Sequence, residues 1–180
     1  VPFRKVDERV VHPGGRGLVT VVATFEDGAG DRFEREIIRH PGAVGVVPVL
    51  DDGRVVLVRQ YRAAVERDLL EIPAGMRDVH GEPPEQTARR ELIEEAGYEA
   101  ASIELLSEYF SAVGITDERF HVYLATGLTE CATDRQGAEE QEMTIEPVAL
   151  AEVPGLVLDG TITDAKTIIG CLLAKERLGF

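Results

Sequence analysis

The chain has 180 residues, 44% of them apolar and 29% charged, with a formal net charge of −14. This length and balance predict one globular domain with a real core rather than a disordered or fibrous chain, and the acidic excess argues against a nucleic-acid surface, which depends on Lys and Arg neutralising phosphates. No apolar run approaches the roughly 20 residues of a membrane helix, the start VPFRKVDERVVHPGG lacks an apolar signal core, and Cys131 and Cys171 form no metal or disulfide pattern, so a soluble cytoplasmic protein with no membrane partner is expected.

In chain order, RKVDERVVH reads as a strand, HPGG as punctuation, and residues 16 to 38 as a hairpin turning at EDGAGD. AVGVVPVL (43–50), the turn DDG and RVVLVRQYR (54–62) read as a second hairpin, whose valine content predicts burial on both faces. LLEIPAGMRDVHGEPPEQ reads as a long turn into a helix from about Pro84 to Ala96, with proline in its first turn and Gly97 closing it. Strands follow near 102–110 and 119–126 around the turn SAVGITDE, then the acidic loop TDRQGAEEQE and the strand MTIEPVAL. The segment TITDAKTIIGCLLAKERLG reads as a terminal helix behind a Thr or Asp cap. A mixed sheet covered by helices follows, α/β or α+β in class.

On the central helix, Glu91, Glu94 and Glu95 fall within an arc of about 100°. Like charges four apart, such as Glu91 and Glu95, destabilise an isolated helix by roughly 0.2–0.5 kcal/mol. Two readings stand on these residues alone: a solvated acidic face, or a platform for a hard divalent cation such as Mg²⁺, which takes carboxylate oxygens and bridges to phosphates. Arg90, beside Glu94 on the wheel, either orients that glutamate or forms an ordinary surface ion pair.

The wider segment GMRDVHGEPPEQTARRELIEEAGY, residues 75 to 98, closely resembles the Nudix box, G-x(5)-E-x(7)-R-E-U-x-E-E-x-G-U, where U is a bulky apolar residue. Glu82, Arg90, Glu91, Leu92, Glu94, Glu95 and Gly97 match it in spacing. Six residues rather than five separate Gly75 from Glu82, and Tyr98 fills the final apolar position. AVGVVPVLDDGRVVLVRQYR, LLEIPAG and SAVGITDERFHVYLATGL extend the resemblance to the ADP-ribose pyrophosphatase branch of the Nudix family, over residues 35 to 175 or so.

The resemblance implies a Nudix-type α/β/α sandwich with a mixed β-sheet over residues 39–180, and an antiparallel N-terminal β-strand extension, 1–38, that forms a homodimer. It implies dependence on Mg²⁺ or Mn²⁺ and hydrolysis of the diphosphate of ADP-ribose, or of a related nucleoside diphosphate sugar, to AMP and ribose 5-phosphate. By position, Glu91, Glu94 and Glu95 would be metal ligands with the backbone carbonyl of Ala74, supported by Gly75, Glu82 and Arg90. The base in this branch comes from a later loop, which here is GAEEQEM; Glu140 is the first candidate and Glu139 the second, and a solvated loop is the alternative. Arg62 is the candidate phosphate or ribose contact, the alternative being a strand-end surface arginine. Phe33 is the candidate adenine platform, with core packing as its alternative, and Gly114 of the turn Ala112-Val113-Gly114 is assigned to substrate binding. Val113 stands where the branch typically has proline, which leaves open a different nucleotide sugar or a dinucleotide as substrate while leaving the diphosphate chemistry intact; a non-catalytic nucleotide sensor is a further alternative, against which the catalytic letters of the box are all present.

Overall fold

A computed structural model describes residues 2–135 and 138–179, with the side chains of Ala138 and Glu139 left out. The chain divides into two compact units, residues 1–42 with 110–119, and residues 43–109 with 120–180.

In the first unit, strands β1 (Arg4–Pro13), β2 (Val19–Glu26) and β3 (Arg32–Arg39) form an antiparallel sheet in that order. The middle strand is the most β-branched of the three, and Val21, Val22 and Ala23 are its buried residues. The β2–β3 turn is closed by Asp27, whose carboxylate accepts the Ala29 and Asp31 amides at 2.8 and 3.0 Å. Segment 110–119 joins this sheet through the Ile38 amide, bonded to the Ile115 carbonyl at 2.8 Å. Asp117 adds to this by accepting from Arg39 and from the His40 amide, each at 2.9 Å.

The second unit holds β4 (Ala43–Pro48), β5 (Arg54–Arg62), β6 (Arg67–Glu71), β7 (Ala74–Met76), β8 (Tyr98–Phe110), β9 (Arg119–Glu130) and β10 (Thr144–Ala149). They make a three-stranded sheet, β10-β5-β6, and a four-stranded sheet, β7-β4-β9-β8. β4 runs parallel to β9 and antiparallel to β7, so the second sheet is mixed. The helices are α1 (Pro84–Glu91), continued by a π turn Leu92–Ala96, the short α2 (Ala138–Gln141) and α3 (Val153–Leu158), and α4 (Ala165–Leu178).

Every residue of β4 is buried, as its valine run predicts, and its two faces serve different helices. Val44 and Val46 meet Ala88, Leu92 and Ala96 of the α1 segment. Ala43 and Val47 share the other core with Cys171 and Ala174 of α4. Each fully buried valine contributes about 1.5–3 kcal/mol by leaving water. Gly170 lets α4 lie close, since a Cβ there would stand 2.9 Å from both Val47 and Val122. Helices on both faces of the strands give the α/β/α layering. Asp164 caps α4 by accepting the Thr167 amide at 2.9 Å, as expected of the Asp preceding that helix.

The expected second hairpin is corrected by the strand pairing. The DDG turn does reverse the chain, with the Leu50 amide bonded to Arg54 at 2.8 Å, but β4 and β5 meet only at the isolated Val49–Val55 bridge and belong to different sheets. Both strands are buried on two sides, so each needs neighbours on both edges: β4 takes β7 and β9, and β5 takes the next strand, β6, and the distant β10. The segment LLEIPAGM, read as turn, contains the end of β6 and all of β7, strands too short for a periodic signal.

Candidate active site

The approach to α1 is set by Pro83 and Pro84, which lack the amide hydrogens a helix start leaves unsatisfied anyway. Thr87 then turns back on this corner, donating its hydroxyl to Glu82 at 2.7 Å. Three residues on, Arg90 reaches across the helix face: its Nη1 lies 2.8 Å from Glu94 and 2.8 Å from Glu91, and its Nη2 lies 3.4 Å from Glu82. One guanidinium therefore gathers three of the glutamates the sequence singled out. The fourth, Glu95, points beneath β7, where its carboxylate accepts the Ala74 amide at 2.8 Å. Leu92–Ala96 is a π turn, a form concentrated at functional sites, and Gly97 ends it in the left-handed region at φ 69°.

Burial dominates the electrostatics. Glu91 and Glu95 are only 8% and 5% exposed. Burial pushes Glu91 up to about 7 against the pull of Arg90, with Glu94 and Glu140 adding to the rise. It pushes Glu95 up to about 8, against the Ala74 amide and Arg62 and helped by Glu91 and Glu140. Glu94 is raised in the same way, by burial first, with Arg90 opposing. At Glu82, burial is outweighed by the hydrogen bonds from Thr87 and Arg90, which hold it below its ordinary value.

Among the described residues, no three His, Cys, Asp or Glu side chains stand close enough to chelate an ion without movement. Arg90 and the Ala74 amide engage those oxygens instead. A divalent cation nevertheless fits this chemistry. Burial raises the two carboxylates above the usual range by more than Arg90 and the Ala74 amide lower them, and a hard cation would add the missing stabilisation of their charge. Gly75 completes the cradle, since any Cβ there would collide with the Glu91 carboxylate. Gly75→Ala should accordingly displace Glu91, costing about 1–3 kcal/mol as overpacked sites do and weakening the Mg²⁺ dependence of activity. Thermal melts and Mg²⁺ titrations check this, and a wild-type titration curve would show that Glu91 has other room.

Glu140 sits on α2, partly buried, and its charge raises all three of Glu91, Glu94 and Glu95. The Glu139 side chain lies outside the described residues. Arg62 is brought to the same neighbourhood, where it and Glu95 influence each other's ionisation. Its guanidinium is gripped by Glu71, Nε and Nη2 bonding the two carboxylate oxygens at 2.8 and 2.6 Å. Phe33 and Gly114 belong to the first unit. The Phe33 ring is engaged by Phe3 and Phe25, each at 5.6 Å, and by the Arg35 guanidinium at 4.7 Å. Gly114 lines a cavity of about 420 Å³ with Phe25, Arg39 and Asp117.

Two participants escaped sequence reasoning. Arg135 bonds the Met143 carbonyl at 2.7 Å and the Glu95 carbonyl at 3.5 Å, tying both sides of the acidic loop to the carboxylate helix. Glu71 is fully buried, and the only signal for it was a charge inside the apolar run LLEIP.

A family model described as NUDIX domain matches residues 39–168. An ADP-ribose pyrophosphatase of Bacillus subtilis (strain 168) is 40% identical over 166 residues, spanning 91% of this chain and 89% of that protein. An ADP-ribose pyrophosphatase of Mycobacterium tuberculosis (strain ATCC 25618 / H37Rv) is 41% identical over 165 residues, 92% of this chain and 72% of that protein. The crystal structure of an ADP compounds hydrolase matches with a TM-score of 0.86 at 24% identity, covering 99% of this chain and 95% of that one, a likeness of fold.

Proposed function

The chain belongs to the NUDIX family, and from that premise we propose that it hydrolyses the diphosphate bond of ADP-ribose, or of a closely related nucleoside diphosphate sugar, yielding AMP and ribose 5-phosphate from ADP-ribose. It is a Nudix pyrophosphohydrolase. The observation that carries this reading is the group Glu91, Glu94 and Glu95 drawn around Arg90 and the short strand β7, on a chain about 40% identical to two ADP-ribose pyrophosphatases.

Glu91, Glu94, Glu95 and the Ala74 carbonyl would hold Mg²⁺ or Mn²⁺, which when bound neutralises diphosphate charge and lowers the pKa of an attacking water. Arg90 keeps Glu91 and Glu94 aligned, and Glu82 anchors Arg90. Glu140 accepts the proton of the attacking water, Glu139 being the second choice. The oxygen of that water forms a new bond to phosphorus, the bond from phosphorus to the bridging oxygen breaks, and the leaving phosphate takes the electron pair. Arg62 contacts the phosphates or ribose, Phe33 serves the adenine, and Gly114 lines the substrate turn.

Residues 1–38 are the N-terminal extension of a homodimer and 39–180 the catalytic domain. Exposed Phe3, Val10 and Val11 on and beside β1 support a partnered sheet. A cytoplasmic setting is consistent with the free thiols of Cys131 and Cys171. Among the described residues no helix is long and apolar enough to cross a membrane.

A hydrolysis screen over ADP-ribose, UDP-glucose, GDP-mannose and NADH with Mg²⁺ or Mn²⁺ tests the assignment. ADP-ribose is expected to be cleaved with the highest kcat/KM. Preference for another substrate would favour the second reading, a Nudix pyrophosphatase of different nucleotide specificity, for which Val113 in place of the branch's proline is the supporting observation.

The cation has a pH signature. Glu91 and Glu95 titrate at about 7 and 8 in the folded protein against 4.5 as the ordinary value. The metal-free fold therefore binds more protons than the unfolded chain in that window, and the contribution of these two groups to stability falls as pH rises through it. A cation must displace those protons, so the rise in Tm on adding Mg²⁺ should grow from pH about 6 to about 8.5. Paired melts measure this, and a shift independent of pH would contradict it.

A further inference from the structure

The salt-bridge network beneath the site ends on one partly exposed guanidinium. Glu71 is 0% exposed and closes β6. Both of its oxygens are taken by the Arg62 fork, and Lys166 of α4 pairs with the same carboxylate from the other side. Lys166 also meets Asp164 at 3.0 Å, and Asp164 caps α4 through Thr167, whose hydroxyl accepts the Ile72 amide at 2.9 Å. Side-chain exposure is lowest at the centre, 1% at Glu71, and rises to 15% at Lys166 and 17% at Asp164 on one side and to 39% at Arg62 on the other. We propose that Glu71, braced by Lys166, is a positioning residue that holds the Arg62 guanidinium in one plane for the phosphates of the substrate. The proposal rests on the reading above that Arg62 contacts substrate.

Stability alone is a weak reason for such a network, because a buried ion pair is often matched or exceeded by apolar side chains of similar volume. What the network does provide is orientation. Nε and Nη2 of Arg62 are held by Glu71, which fixes the fork and leaves Nη1 as the guanidinium nitrogen with no protein hydrogen bond among the described residues. Glu71, which holds the guanidinium, lies three residues before Ala74, whose amide bonds Glu95 at 2.8 Å, so the segment that carries the clamp leads directly to the carboxylate cluster, where a diphosphate would be bound. An unsupported arginine must give up its rotamer freedom with each ligand it binds, whereas one already clamped gives up less. Lys166 is essential to the arrangement. A carboxylate buried this completely stays ionised, against burial, because Arg62 and Lys166 both stabilise its charge, and only the ionised form accepts both prongs of the fork.

The test compares Arg62→Met, Arg62→Lys, Glu71→Gln and the double variant Arg62→Met/Glu71→Gln, reading kcat and KM for ADP-ribose at saturating Mg²⁺ together with Tm. Arg62→Met should raise KM about tenfold, as loss of a charge-assisted contact does, with kcat within about twofold of wild type. Glu71→Gln should raise KM by a similar factor although it does not touch substrate, and the double variant should be no worse than Arg62→Met alone. Arg62→Lys should also raise KM, because it keeps the charge and loses the two-pronged grip on Glu71. A wild-type KM in Glu71→Gln with a raised KM in Arg62→Met, whatever the Tm, would overturn the positioning role while leaving the Arg62 contact intact. A wild-type KM in Arg62→Met would instead remove the contact itself, and the positioning role with it. Should Glu71→Gln fail to fold, Arg62→Lys decides the matter: a wild-type KM there means that the fork orients nothing.

Discussion

Glu95→Gln is expected to lower turnover of ADP-ribose by about 10²–10³-fold, the range seen when one charge-stabilising group is removed from a transition state. The fold should survive. Burial already pushes Glu95 up to about 8, so near neutral pH and without metal the native side chain is largely a neutral acid held by the Ala74 amide. Glutamine reproduces that shape, and its carbonyl can keep the Ala74 hydrogen bond. Its metal-free Tm should therefore equal or exceed that of the wild type, while the rise on adding Mg²⁺ shrinks. This pairing separates a ligand role from a packing role, since a merely structural glutamate would lose Tm in both conditions. Turnover near wild type at saturating Mg²⁺ would refute the ligand assignment.

Glu140→Gln should lower kcat by about 10²–10⁴-fold with little change in KM or in Mg²⁺ affinity, as removal of a general base does. The support for this choice is electrostatic: the charge of Glu140 adds to the rise of Glu91, Glu94 and Glu95 alike, so its carboxylate acts on all three. Glu139→Gln should be much milder, because only one of two neighbouring carboxylates is expected to come within hydrogen-bond reach of the same water. Steady-state kinetics of both variants, repeated at raised salt, give the answer. If the loop contributes only negative potential, the two losses will be small, similar and diminished by salt, and the base must then be sought elsewhere.

Much of this site is legible in the sequence because its parts lie on one short helix. Helical period alone puts Glu91, Glu94 and Glu95 on one side, and Arg90 forms the ion pair with Glu94 that its wheel position suggests. Gly97 closes the helix as its place in the pattern requires. The parts that come from elsewhere in the chain are harder to read. Lys166 meets Glu71 across 95 positions, and no local period couples a residue on a terminal helix to one at the end of a short strand. Arg135 is similar, being one cation in an acidic loop until the fold brings it to the Glu95 carbonyl. The pairing of β4 is hidden for the same reason: a turn such as DDG reports that the chain reverses, but the edges of a fully buried strand are claimed by whichever segments fit them, and the hydrophobic run does not name those segments.

That pairing also shapes how the chain must fold. β4 occupies residues 43–48 and its parallel neighbour begins at residue 119, so a long loop has to close before the central ladder of the second sheet can form. Such distant contacts slow folding, because loop-closure entropy is lost before the contacts return anything. During synthesis the valine-rich strand emerges well ahead of β9, with two apolar faces and unpaired edges. The same burial that fixes the carboxylate helix in the finished protein thus leaves the nascent chain with its most adhesive segment waiting for a partner that has not yet been made.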